Sequence, residues 1–531
     1  MPFAAFEKIC QMMADPGFYP HPVSQVERRD THISAVFLTG DWVYKLKKPV
    51  NFGFLDFTTL DARRHYCQQE VLLNQRLTRG VYQGVCAICK DEAGRCSLDG
   101  PGEAVEYAVK MVQLPDEVSL KALLQAQRIE AKDLRKLGYH LASFYERSEQ
   151  GVEIDKFGDP QLIAFNMEEN FTQLGPFVGD WVQPEQWEFI RQVSRAFFDN
   201  WRQLFLRRIE THRIRDGHGD LRAEHIYFSN GIQIIDCIEF NDRFRYGDAA
   251  LDLAFLQMDL EHLGHAEMGR TILAAYVDQA DDPELYSLID FYAAYRAVVK
   301  LKVACLGGSK LEEGDAKEAL RAKANGFLQQ AYRYALQFSR PTLWVFCGLP
   351  ASGKSSLARQ LAEDLSLVYL QSDQVRVESA GCPMAAGVVP YGEGPYRLEM
   401  RQRVYAQMLV EAQEHLKSGR SVVLDASFSR LKWRHDALQL ATDLNTNFLL
   451  VECRCSEETM RKRLLKRDDE SGLSQARVHH LPQMKKVFEP VEELPVEQHI
   501  VVDTDQPFLT VLDDILKQGY ARKSMQISAI L

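Results

Sequence analysis

The chain has 531 residues, of which 46% are hydrophobic and 26% charged, and its formal net charge is −11. That length exceeds what a single core serves, so two or three domains are expected, and with no low-complexity tract disorder is confined to local stretches. Moderate acidity disfavours broad electrostatic capture of nucleic acid or anionic lipid.

The first residues, MPFAAFEKICQMMADPGF, carry an early acid and no apolar stretch ahead of a small-residue cleavage site, so they do not read as a signal peptide. No apolar run approaches bilayer-spanning length. Eleven cysteines, an odd number spread along the chain, point to reduced thiols and a cytoplasmic location. Cys86 and Cys89 form a CxxC without a second pair, and Cys453 and Cys455 close an apolar run; all four read as strand residues.

In chain order, ISAVFLTGDWVYKLKK reads as a hairpin around Thr39-Gly40-Asp41. LDARRHYCQQEVLLNQRL has helical spacing, and VYQGVCAIC and VEYAVKMVQL return to strand composition. From about Asp116 to Phe338 the pattern is helical, broken by one β-like island, HGDLRAEHIYFSNGIQIIDCIEF, which turns at Ser229-Asn230-Gly231. Arg296, Lys300 and Lys302 form a basic helical stretch that reads either as an anion site or as a solvated face. At Ser339-Arg340-Pro341 the pattern changes. TLWVFCG, LVYL, SVVLD, NFLLVEC and HIVVD then alternate with helices, as in a parallel sheet covered by helices. The domains are therefore placed at 1–340 and 341–531.

Between the first of these strands and its helix, Gly348-Leu349-Pro350-Ala351-Ser352-Gly353-Lys354-Ser355 fits GxxxxGK[ST], followed by Ser356. Glycines let backbone N–H groups approach phosphates, Lys354 reaches the terminal oxygens, and Ser355 is placed to ligate Mg²⁺. Asp373, in LQSDQVR, follows the next strand and could take a hydroxyl proton, with Arg376 holding an anionic or polar group; a helix N-cap is the alternative for Asp373. SVVLD ends at Asp425, where a carboxylate would support the Mg²⁺ shell. Arg463 and Arg467 lie four apart on one helix face, either closing over the transferring group or forming a solvated basic face. The segments GLPASGKSS, SDQVR and VVLDASF and the arginine-bearing helix resemble small P-loop kinases of the gluconate kinase, polynucleotide kinase and zeta-toxin type. The resemblance implies an acceptor-contacting role for Asp373 and Arg376. The Gly/Pro-rich stretch AGCPMAAGVVPYGEGPY is expected on the acceptor side.

HGDLRAEHIYF followed by IIDCIEF resembles the catalytic and metal-binding segments of the aminoglycoside phosphotransferase and choline kinase group. That likeness implies Asp220 as the residue at the acceptor hydroxyl and Asp236 as the Mg²⁺ ligand. It also implies Lys45 as the phosphate-binding lysine, with Lys47 on the same strand face as the alternative, and Glu70 as its ion-pair partner. Asp252 would brace the catalytic loop, and His218 would be structural. His225 stands where the group has a metal-binding Asn, and Glu239 is a possible compensating ligand.

The fold expected is an N-terminal protein-kinase-like, two-lobed domain with a small β-rich lobe and a large helical one, then a P-loop NTPase domain, a combination that resembles bacterial fusions of these two types. Both modules are expected to bind ATP with Mg²⁺, the C-terminal one phosphorylating a hydroxyl of a small molecule. Two other readings stand beside this: an ATP-binding regulator with a degenerate N-terminal domain, and a polynucleotide 5′-hydroxyl kinase, which the acidic charge disfavours.

Overall fold

The computed structural model describes residues 3–365, 367–379, 397–468 and 477–528. It divides into two compact units, one formed by residues 1–163 with 205–280, the other by 164–204 with 281–531. The second unit contains the whole 341–531 region and adds helical segments from earlier in the chain.

In the first unit, β1 (Glu27–Asp30), β2 (Ser34–Leu38), β3 (Trp42–Lys47), β4 (Tyr82–Lys90), β5 (Cys96–Leu98) and β6 (Glu103–Val112) form one sheet in the order β1-β2-β3-β6-β4-β5. Its pairings are antiparallel. Alternation along each strand sends side chains to opposite faces. One face, with Phe37, Tyr44 and Leu46, packs on Phe6, Ile9, Cys10 and Met13 of the N-terminal helix Phe3–Met13. The other, with Val43 and Val109, meets Cys67 of the helix Leu60–Asn74. On β3 this same alternation gives Lys45 and Lys47 to the face of the second helix.

Four short strands follow: β7 (Ile214–Asp216), β8 (Ile226–Phe228), β9 (Ile232–Ile234) and β10 (Tyr246–Asp248), pairing as β7 with β10 and β8 with β9. The expected β-like island is the β8–β9 hairpin. Helices Ala131–Arg147 and Ala266–Ala280 approach closely at Gly138, where a Cβ would lie 2.5 Å from the Ile272 carbonyl oxygen.

In the second unit, β11 (Thr342–Cys347), β12 (Val368–Gln371), β13 (Val422–Asp425), β14 (Asn447–Arg454) and β15 (His499–Asp503) form a wholly parallel sheet in the order β12-β13-β11-β14-β15. Every residue of β11 is buried, as the apolar sequence TLWVFC requires of a central strand covered on both faces. The chain leaves β11 towards β12 and β13 on one side and reaches β14 on the other, so the carboxyl end of β11 is a topological switch point, where a crevice opens for ligands. The basic stretch on helix Leu285–Gly308 does not form a free cationic face: Arg296 is buried and Lys302 Nζ donates to Asn170 Oδ1 at 2.6 Å. Among the described residues, no helix is long and apolar enough to cross a membrane.

Candidate active sites

The loop Gly348–Gly353 leaves β11 at the switch point and delivers Lys354 as the first residue of the helix Lys354–Asp364. Gly348 has φ +147, and a Cβ there would stand 2.7 Å from both the Cys453 carbonyl oxygen and Ser352 Oγ. Only glycine satisfies both constraints. Ala351, also in the left-handed region at φ +62, completes the tight path. The Gly348 N–H donates to the Ser427 carbonyl at 3.1 Å, which ties the loop to the segment after β13. The Ser352 hydroxyl is buried without a hydrogen-bond partner in the protein, as a group reserved for a ligand would be.

Ser355 Oγ donates to Asp425 Oδ1 at 3.1 Å, and Tyr369 Oη donates to Asp425 Oδ2 at 2.7 Å. Asp425, only 1% exposed, ends β13. A hydroxyl and a carboxylate side by side are hard oxygen donors and fit Mg²⁺. Arg463 does not stand free over the loop. Its Nη1 donates to the Ala351 carbonyl at 3.2 Å and to Thr504 Oγ1 at 3.0 Å, while Thr504 Oγ1 donates to the Ser352 carbonyl at 2.7 Å. This arginine therefore braces the loop from outside. The side chain of Arg467 lies outside the described residues. A recess beside the loop is lined by Ala351, Leu357, Arg463, Thr504, Phe508 and Val511.

Asp373 is the second residue of the helix Ser372–Ser379 and not its cap, and its carboxylate pairs with Arg376 one turn on. The Gly/Pro-rich stretch 380–396 lies outside the described residues. Sequence reasoning missed a polar cluster around Arg401. Arg401 Nη2 donates to Ser427 Oγ at 3.1 Å and Ser429 Oγ at 3.2 Å, and its guanidinium lies 4.6 Å from the Trp433 ring centroid. Tyr405 Oη accepts from the Phe428 N–H at 3.0 Å and lies 3.2 Å from Ser427 Oγ. Ser427, two residues past Asp425, was the one available signal.

In the first unit, Lys45 Nζ lies 2.9 Å from Glu70 Oε1 and pairs with Asp236, while Lys47 Nζ lies 2.8 Å from Glu70 Oε2 and pairs with Glu239. Both lysines thus share Glu70, which is wholly buried, but only Lys45 reaches Asp236. Burial disfavours the Lys45 ammonium, yet Asp236 and Glu70 outweigh it and raise its pKa well above the ordinary value. Burial likewise opposes the charge of Asp236, and Lys45 holds its carboxyl well below the usual carboxylate range. Glu239 is spent on Lys47 in the interior, so it does not supply the compensating metal ligand that the sequence suggested.

Asp220 is gripped by Arg222, whose Nε and Nη2 lie 3.0 and 2.8 Å from its two carboxylate oxygens; Arg222 also pairs with Glu224. Asp252 braces the loop as expected, accepting from the His218 N–H at 2.7 Å, the Gly219 N–H at 2.9 Å and Tyr145 Oη at 3.0 Å. His218 Nδ1 accepts from the Asp220 N–H at 3.2 Å and Nε2 faces the Ile235 carbonyl at 3.0 Å. Its pKa is pushed down to about 4 by complete burial. The metal donors differ from those of the second unit: Asp236 Oδ2 faces an imidazole, His225 Nε2, at 3.6 Å. Asp236 is a hard oxygen donor, whereas the His225 nitrogen is a poorer Mg²⁺ ligand than the oxygens that this ion prefers. Among the described residues, no group of three or more metal-ligating side chains forms.

Two family models match, the Phosphotransferase enzyme family over residues 122–288 and the AAA domain over 343–491. A gluconokinase from Sinorhizobium meliloti is 21% identical, covering 36% of this chain and 97% of its own, with a TM-score of 0.26. A choline/ethanolamine kinase family protein from Mesorhizobium loti is 12% identical, covering 62% of this chain and 98% of its own, with a TM-score of 0.36. The Mycobacterium tuberculosis H37Rv protein Rv2004c and the Mycobacterium bovis protein Mb2027c are each 34% identical over 441 residues, 82% of this chain and 85% of theirs. The chain belongs to the family of these mycobacterial proteins, with a phosphotransferase-type domain followed by a P-loop domain of AAA type.

Proposed function

We propose that the protein is an ATP-dependent phosphotransferase whose P-loop unit moves the γ-phosphoryl group of ATP to a hydroxyl of a small molecule. The observation that carries this is the loop between β11 and its helix, with the Ser355 hydroxyl and the Asp425 carboxylate joined at its mouth. Backbone N–H groups and the helix N-terminus receive the phosphate oxygens, and Lys354 neutralises the charge that builds on them during transfer. Ser355 and Asp425 would hold Mg²⁺, whose role when bound is to offset charge on the β and γ oxygens. Tyr369 fixes the Asp425 carboxylate through Oδ2 and leaves Oδ1 at the Ser355 side. The recess ending at Phe508 takes the nucleoside. Asp373 accepts the acceptor's hydroxyl proton, Arg376 orients it, and Arg401 with Tyr405 and Ser427 supplies further polar contacts.

The first unit binds nucleotide through Lys45. A regulatory reading of that unit is favoured by the grip of Arg222 on Asp220, which withholds the carboxylate from an acceptor hydroxyl. The free thiols of the described cysteines suit a reducing, cytoplasmic setting. The test is ATP consumption screened against sugar, sugar-acid and aminoglycoside pools, with labelled oligonucleotides in a separate arm, for the parent, Lys354→Ala and Asp220→Ala. Turnover lost in Lys354→Ala and retained in Asp220→Ala supports the proposal. The reverse pattern moves the chemistry to the first unit, and turnover only with oligonucleotide replaces the acceptor class.

A further inference from the structure

A cavity of about 70 Å³ lies at the end of the parallel sheet opposite the P-loop. Its wall includes Thr342, which starts β11, Leu367, which precedes β12, and Ser421, which precedes β13. Each lining residue belongs to the second unit. Ligands of open α/β sheets gather at the carboxyl ends of the strands, so a site at the amino ends is separate from the recess beside the P-loop. Packing fixes the aromatic part of the wall. The rings of Phe197 and Phe338 are 5.3 Å apart and those of Tyr286 and Tyr520 are 5.4 Å apart. Trp344 sits so closely on Gly519 of the helix Phe508–Ser528 that a Cβ there would overlap its ring.

Two uncompensated cations set this cavity apart. Lys523 and Arg340 both line it, and among the described residues neither side chain has a hydrogen-bond, ion-pair or ring partner. Gln337, 4% exposed, lines it too, and its Oε1 is buried without a hydrogen-bond partner. Burial opposes the charge of Lys523 and pulls its pKa below the ordinary value, with Asp290 the charge that supports it. Asp290 is itself engaged, accepting from Tyr520 Oη at 3.3 Å. Burial lowers the pKa of Arg340 likewise. A charge taken partly out of water without a partner is costly, and such groups call for a ligand. The two cations would attract an anion, and the Gln337 amide, whose ends exchange by a half-turn, would offer it Nε2. Aromatic walls exclude water and strengthen the pairing. The volume is a little over the share of two waters in the liquid, which suits phosphate or a short carboxylate and excludes a nucleoside. We propose that this cavity is a binding site for a small oxyanion, a phosphate or a short carboxylate, held by Lys523, Arg340 and Gln337. The bound anion joins the Arg340–Pro341 link to the C-terminal helix and stabilises the second unit. Such binding is independent of the phosphotransfer reading.

The test is calorimetric titration of inorganic phosphate, acetate and, as a control, chloride into the full chain carrying Lys354→Ala, which silences the P-loop. Saturable binding of phosphate or acetate is expected, weakened about tenfold or more by Lys523→Met and by Arg340→Gln. Phosphate alone saturating assigns a phosphate group, acetate alone a carboxylate, and both the shared oxyanion class. Lys523→Met keeps the apolar stem and removes the unpartnered charge, so without anion it should melt no lower than the same chain with the lysine. Phosphate or acetate, whichever binds, should raise the melting temperature only where Lys523 is present. No saturable binding of either anion, binding matched by chloride, or affinity that survives either substitution overturns the proposal. A Lys523→Met chain that melts lower without anion also overturns it, because the lysine would then be serving the fold.

Discussion

Replacing Asp252 by alanine should damage the first unit far more than its single carboxylate suggests. Asp252 is 4% exposed and receives three donors, the backbone N–H groups of His218 and Gly219 and the hydroxyl of Tyr145. Each buried donor left unpaired costs about 1–3 kcal/mol. Water entering the space left by the side chain would recover part of the loss, so about 3–5 kcal/mol is expected. For a unit of this size each kcal/mol lowers the midpoint by roughly 2–4 °C, so the transition should fall by about 10 °C. Tyr145→Phe removes one donor and leaves the carboxylate with both backbone partners, so its cost should stay near 1 kcal/mol. Scanning calorimetry of the intact chain, with nucleotide affinity measured on each variant, checks the pair. If Asp252→Ala melted with Tyr145→Phe, the carboxylate would not be organising the His218–Asp220 loop, and the reasoning would fail.

Gly348→Ala should abolish nucleotide binding at the P-loop while leaving the first unit's melting unchanged, because its Cβ would meet a backbone carbonyl at 2.7 Å in a left-handed conformation; isothermal titration with ATP and thermal melting read both. Tyr369→Phe frees Asp425 Oδ2 and should weaken Mg²⁺-dependent nucleotide binding by about tenfold, seen as a rise in the Mg²⁺ concentration needed for half-saturation. The buried His218 gives the first unit a pH dependence. Its folded pKa of about 4 lies below the ordinary 6.5, so the stability tied to its neutral form is complete above about pH 6.5 and lost as the pH falls towards 4, by about 3 kcal/mol in all. Denaturant unfolding across that window should show the slope in the parent, and His218→Gln should flatten it.

The P-loop was legible because its glycines answer a local backbone demand and its neighbours in sequence are its neighbours in space. Lys45 and Glu70 were legible by resemblance, yet choosing between Lys45 and Lys47 from sequence missed that Glu70 serves both. What stayed hidden depends on contacts between distant residues. Lys47 and Glu239 are 192 residues apart, and Tyr369 and Asp425 are 56 apart. The turn from Asp220 to Arg222 is local, but which of several acids an arginine grips is decided by packing. Of the strands, β1 was missed because its sequence, ERRD, has no apolar alternation; it is an edge strand whose charges pair with neighbours, Arg28 lying 3.0 Å from Glu7. Of the five strands read in the second unit, the inner β11, β13 and β14 are buried on both faces and leave continuous apolar runs, whereas β12 and β15 at the edges are only partly buried.

Calorimetric titration of ATP into the full chain, with and without Mg²⁺, in the parent and in Lys354→Ala, bears most directly on the central claim. Magnesium-dependent binding in the parent, with the P-loop component lost in Lys354→Ala, is the predicted result. Binding of equal strength in Lys354→Ala, or no magnesium-dependent affinity in the parent, would contradict it.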